Sequence, residues 1–270
     1  MSDLIKHQGK DLERKISDKI NLSSSKLATL SKALSKKRPR IFYQLIIFVI
    51  DGSNSMNAKT KERISRAQAV HNSVTETLDR INRSKNRECF DLCFIYFSDD
   101  FTVDIECQNI TTLDQNNDYN PLRKITPRGT FAEGALKEAF SIGRQYCIDN
   151  ESNDHQVLIN LLSDGSFDDR ALSKKVIDQI HKEDKFEMSC QYFEREIDFS
   201  TTYYAWDEAN DEIDKSSPCT PEEAQAYDKK HAEKFKKFVT QPELFLSSTN
   251  TEIIRNHMIK SISVVSKLLD

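Results

Sequence analysis

Ile41-Phe42-Tyr43-Gln44-Leu45-Ile46-Ile47-Phe48-Val49-Ile50 is an almost unbroken apolar run, and Asp51-Gly52-Ser53-Asn54-Ser55 follows it at once. The run is β-branched and aromatic and does not alternate with polar residues. That pattern belongs to a strand buried on both faces, as in parallel sheets. Glu88 to Ser98 reads the same way, and so does Gln156 to Ser163, which stops at Asp164-Gly165. Asp99-Asp100 is a tight turn leading into Phe101 to Cys107, which predicts a hairpin. Between these strands the apolar period becomes helical. From Lys61 to Arg83, residues Ile64, Ala67, Val70, Val74, Leu78 and Ile81 recur at spacings of three and four. Phe131 to Tyr146 and the stretch through Leu172, Val176, Ile177 and Ile180 repeat the pattern. A strand near Phe186 to Phe193, a short one at Leu244 to Leu246 and a closing helix from Thr251 to Leu269 complete the series. This alternation predicts an α/β domain: a doubly wound, mostly parallel central sheet with helices on both faces.

The domain so predicted spans residues 41–270, with an insertion at about 198–240. That insertion is acidic at Asp207, Glu208, Asp211, Glu212 and Asp214, read as a solvated surface loop, and helical from Pro221 through Phe238. Residues 1–40 form a basic helical N-terminal extension, broken at Asn21 to Ser25 and ended by Arg38-Pro39-Arg40. The extension carries 11 Lys or Arg against 4 Asp or Glu, whereas the remainder carries 28 against 39. An acidic body argues against a nucleic-acid-binding domain, so no direct contact with nucleic acid is expected except through segment 1–40. No apolar run approaches the roughly 20 residues of a membrane span. The first residues lack the apolar core of a secretory signal. Six cysteines without a disulfide rhythm complete the case for a cytoplasmic protein.

In such sheets ligands collect at the carboxyl ends of the strands. Three oxygen-bearing groups fall there: Asp51, Ser53 and Ser55 after the first strand, Thr130 in the loop Pro127-Arg128-Gly129-Thr130, and Asp164 after the third buried strand. Small, hard oxygen donors suit Mg²⁺ or Mn²⁺, which tolerate water in the coordination shell. Two carboxylates and three hydroxyls leave the metal electrophilic enough to take one more anionic oxygen from outside. Each part has a simpler reading. Thr130-Phe131-Ala132-Glu133 is also a capping box for the helix that follows, and Asp51 and Asp164 are also ordinary turn formers at strand ends.

Asp-x-Ser-x-Ser after an apolar strand, then Gly129-Thr130, then Ser163-Asp164-Gly165 resembles the von Willebrand factor type A (vWA) domain with its metal-ion-dependent adhesion site (MIDAS). The resemblance implies direct metal binding by Ser53 and Ser55. It implies that Thr130 binds directly or through water, and that Asp51 and Asp164 act largely through water. The open position then takes an Asp or Glu from a partner protein. Asn54 stands where the family often has glycine, and the insertion is a departure. Intracellular members act as scaffolds beside AAA+ ATPases, kinases, phosphatases or other components of microbial stress and defence operons. The layout, one domain behind an added N-terminal segment, resembles the tellurium-resistance-associated vWA proteins.

Enzymatic motifs are missing: no Gly-x-x-x-x-Gly-Lys-Ser loop, no His-Glu-x-x-His and no Gly-x-Ser-x-Gly elbow. A hydrolytic metal needs a nucleophile or a Lys or Arg substrate clamp, and the metal loops are read as holding neither. A non-enzymatic binding module is therefore expected. The alternatives are a structural or oligomerising subunit that pairs through the 1–40 helices around a vestigial site, and a metal-dependent phosphoester hydrolase.

Overall fold

The computed structural model describes residues 42–114, 116–165, 167–194, 197, 200, 202–207 and 212–266. The expected helices of residues 1–40 lie outside this set. Strand β1 (Phe42–Asp51) is the centre of a six-stranded sheet. Beside it lie β2 (Phe90–Phe97) and then β3 (Phe101–Asn109) on one side, with β4 (Asp154–Ser163), β5 (Phe186–Tyr192) and β8 (Phe245–Ser247) on the other. Every pairing is parallel except β2 with β3, the expected hairpin. The chain leaves β1 for β2 and later returns to β1's other side as β4. The crevice between the ends of β1 and β4 is thus the point where strand order reverses, the place where such sheets bind ligands.

Side-chain alternation in β1 builds the two halves of the core. Leu45, Ile47 and Val49 face α2 (Glu133–Asp149) and α3 (Arg170–Ile180), with Phe167, Phe235 and Phe238 filling the same layer. Ile46, Phe48 and Ile50 face α1 (Arg66–Arg83) and α5 (Thr251–Ser266). Residues Leu45 to Ile50 are wholly buried, and each contributes roughly 1.5–3 kcal/mol through removal from water. This is why the central strand reads as a continuous apolar run.

Helix α1 starts later than its periodicity suggests. Ser65 caps it by accepting the Gln68 N–H at 3.1 Å. The residues before it form a connection in which Arg63 takes a left-handed φ of 61°. Here Glu62 accepts the Thr251 N–H at 3.0 Å and its hydroxyl at 2.7 Å, which moors the connection to the start of α5. The insertion holds a surprise. Of its acidic residues, Asp207, Glu212 and Asp214 stand in an antiparallel ribbon, β6 (Tyr203–Asp207) with β7 (Glu212–Cys219), rather than in the loop expected, while Glu208 and Asp211 lie outside the described residues. Helix α4 (Pro221–Phe235) follows, opened by a capping box between Thr220 and Glu223.

Candidate metal centre

Asp51 ends β1 wholly buried, and its two oxygens accept from different directions. Oδ1 takes the Ser53 N–H at 2.8 Å, and Oδ2 takes the Ser163 hydroxyl at 2.6 Å. The first bond folds the chain back just after the strand; the second ties the ends of β1 and β4 together. Ser163 in turn accepts the Gly165 N–H at 3.0 Å. Gly165 has φ of 81°, and a Cβ there would lie 2.8 Å from the Tyr192 ring, so the turn after Asp164 needs glycine on both counts.

Ser53 precedes a 3-10 turn (Asn54–Asn57) in the position of a cap, yet its hydroxyl does not cap. It meets the Ser55 hydroxyl at 2.8 Å, so two hydroxyl oxygens stand side by side at the rim. Asp164, only 6% exposed, lies close enough to Asp51 to repel its charge. Burial, reinforced by that repulsion, pushes the Asp51 carboxyl up from 3.8 to about 7, against the opposing hydrogen bonds from Ser163 and Ser53. Asp164 Oδ2 accepts from Arg66 Nη1 at 2.9 Å, whereas Oδ1 is buried with no hydrogen-bond partner.

Backbone ties join the loop of Thr130 to the other two. The Asn54 N–H donates to the Arg128 carbonyl at 3.2 Å, which joins its loop to the serine loop. The Thr130 N–H donates to Asp168 Oδ2 at 2.7 Å, and the Asp168 N–H returns to the Thr130 carbonyl at 2.9 Å, which joins it to the loop after Asp164. Gly129 donates to Asp99 Oδ1 at 2.7 Å, and a Cβ on Gly129 would sit 2.6 Å from that oxygen. The capping-box reading of Thr130 is corrected here. Helix α2 starts at Glu133, and its first free N–H groups, of Ala132 and Glu133, donate to Asp169 at 3.1 and 2.6 Å. A carboxylate from a distant loop caps this helix, so Thr130 is not needed for the task.

All five residues thus stand on three loops at one rim, joined by hydrogen bonds, with Asp51 and Asp164 as electrostatic neighbours. Among the described residues no three His, Cys, Asp or Glu side chains gather as a metal-binding group. A cation held at this rim must therefore rest largely on hydroxyl and water oxygens, which suits a hard divalent ion. The orphaned Oδ1 of Asp164, the hydroxyl pair and the repulsion between two buried carboxylates all fit such an ion.

Arg66, Asp168 and Asp169 escaped the reading of the sequence, which quoted Ser163 beside Asp164 without giving it a role. Arg66 carried a signal: it lies four residues before Val70 and eight before Val74, on the apolar stripe of α1, where a solvated arginine has no place. It also corrects the view that the rim lacks basic groups, as does Arg128, two residues before Thr130. Arg66 is only 4% exposed and bonds Asp164 and the Glu194 carbonyl, so it is not placed to clamp a substrate.

No protein-family model and no curated protein matches the sequence. Solved structures do match. The pilus adhesin SpaC from Lactobacillus rhamnosus GG superposes with a TM-score of 0.61 at 13% identity, over 86% of this chain and 31% of its own. Proximal thread matrix protein 1 from the mussel byssus gives 0.52 at 15% identity, over 83% and 46%. A further structure of that byssus protein, with a zinc-occupied MIDAS motif, gives 0.52 at 14% identity over the same shares. The chain spans less than half the length of each of these proteins. A six-stranded, mostly parallel sheet flanked by helices, superposing on these proteins, is the von Willebrand factor type A fold.

Proposed function

We propose that Asp51, Ser53, Ser55, Thr130 and Asp164 hold a divalent cation, Mg²⁺ or Mn²⁺, and that this cation captures an Asp or Glu carboxylate of a partner protein. The chain is then a non-enzymatic binding module. The observation that carries this reading is the buried, unpartnered Oδ1 of Asp164 beside Asp51 and the paired serine hydroxyls. Such an atom costs about 1–3 kcal/mol or more unless something positive meets it. A similar fold in the byssus protein carries zinc in its MIDAS motif, and another forms part of a pilus adhesin, which supports both the divalent ion and the protein-binding role.

The Ser53 and Ser55 hydroxyls would supply neutral ligands, and the Ser163 hydroxyl fixes the second oxygen of Asp51. The bound ion supplies Lewis acidity towards an incoming carboxylate. Phe131, 44% exposed, and Arg128 stand beside the site and give a partner apolar and cationic contacts. None of the six cysteines is joined in a disulfide, in keeping with a reducing, cytoplasmic setting. No helix among the described residues is long and apolar enough to cross a membrane. Within this reading the partner is an AAA+ ATPase, a kinase, a phosphatase or another member of a microbial stress or defence complex, as for intracellular members of the family.

The test is a thermal melt with and without Mg²⁺ or Mn²⁺, paired with partner capture with and without EDTA. The wild type is expected to melt higher with the ion and to lose its partner in EDTA. The double substitution Ser53→Ala, Ser55→Ala is expected to melt normally without metal, ignore the ion and capture nothing. Capture that survives chelation overturns the proposal.

A further inference from the structure

Arg66 is the feature of the rim that a divalent-ion site does not by itself require. It is a buried guanidinium at the first turn of α1, with Nη1 on Asp164 Oδ2 at 2.9 Å and Nη2 on the Glu194 carbonyl at 2.8 Å. The second bond anchors the group to the segment after β5, so it does not swing away when the surroundings change. It occupies one oxygen of Asp164 and leaves the other without a partner. A cation and Arg66 therefore approach the same carboxylate from different oxygens, and neither has to displace the other.

We infer that Arg66 is the resident counter-charge of the rim, which weakens its hold on the divalent ion and strengthens its hold on the partner's carboxylate. This rests on the metal-dependent reading above. Counting the two proposed aspartate ligands alone, both ionised, the site carries two negative charges, and Arg66, paired with Asp164 at 2.9 Å, cancels one. A divalent ion then leaves one net positive charge, which a single carboxylate neutralises. Without Arg66 the loaded site is neutral, and the incoming carboxylate makes it negative. The two affinities are thus set against each other by one residue. In a buried site, where charges interact strongly, one unit charge shifts each affinity on the order of tenfold or more.

The test uses the 270-residue chain and two probes. Mn²⁺ is titrated first and followed by water-proton relaxation. Sodium acetate is then added to the Mn²⁺-loaded protein at constant ionic strength, and the fall in relaxation as acetate displaces metal-bound water gives its affinity. Arg66→Met is expected to bind Mn²⁺ on the order of tenfold more tightly and acetate about tenfold more weakly. Arg66→Gln, which is neutral but keeps hydrogen-bonding groups, is expected to shift both in the same directions and serves if the Met variant does not fold. Arg66→Lys is expected to stay near the wild type on both counts. A purely structural arginine lowers the melting temperature without moving the two affinities in opposite directions, and that result overturns the inference. If the wild type itself binds no Mn²⁺, the metal-dependent reading falls and takes this one with it. If the wild type binds both probes and the neutral variants match it, only the role of Arg66 falls.

Discussion

Two groups of aspartates share one rim and differ in what their oxygens meet. Asp99, Asp168 and Asp169 accept backbone N–H groups of Gly129, Thr130, Ala132 and Glu133, and Asp169 also takes the Ser173 hydroxyl at 2.8 Å. They act as clasps that hold one loop against another. Asp51 and Asp164 are more deeply placed, repel each other, and include an oxygen with no partner at all. The lesson is that an acidic residue at a sheet edge reveals its task through its hydrogen-bond partners, not through its position. A carboxylate wholly satisfied by loop amides acts as a clasp, whereas the buried Oδ1 of Asp164, left without a partner, is where a cation would be met.

The hardest blow to this contrast is Asp164→Ala. It strands the Arg66 guanidinium in the interior and is expected to cost about 3–5 kcal/mol in urea unfolding, with no response to Mg²⁺ left. A loss under 1 kcal/mol would mean the ion pair is slack. Asp169→Ala removes three acceptor contacts and the cap of α2, for about 2–3 kcal/mol. Its folded fraction should still bind the ion, and if it does not, the division between clasp and site fails.

Asp51→Asn is expected to act with the opposite sign. The folded-state carboxyl sits at about 7, above its unfolded 3.8, so the native state holds the extra proton between those values. Metal-free wild type should therefore lose stability as pH rises from about 4 to about 7. The Asn variant should flatten that slope and gain on the order of 1–2 kcal/mol at pH 8, after discounting its altered hydrogen bonds. It should also lose the divalent response, which denaturation series at several pH values, with and without Mg²⁺, will show. Smallest of all is Asp168→Asn, which keeps one acceptor oxygen for the Thr130 N–H. Stability should change by less than about 1 kcal/mol while Mn²⁺ affinity falls a few-fold.

The sheet was legible because its central strands are buried on both sides and their composition is forced. Asp51 and Asp164 were legible because they follow those strands directly. What lay beyond reading was set by distant partners. Asp169 is 36 residues from the Glu133 amide it caps, and Arg66 is 98 from Asp164. A local capping-box spacing at Thr130 therefore suggested a bond that a remote carboxylate had already made. The ribbon of β6 and β7 was hidden for another reason. Its strands include Asp207, Glu212 and Asp214, a run of charge that reads in a sequence as a loop.

The sheet's margins carry a consequence for assembly. β3 shifts register twice against β2, exposes Asp104 and Glu106 in part or in full, and among the described residues pairs with no other strand, while β8 at the far margin is three residues long. A neighbouring copy meets no straight row of amides and carbonyls on which to lay a seventh strand. Main-chain pairing of copies at the two margins of this six-stranded sheet is thereby discouraged.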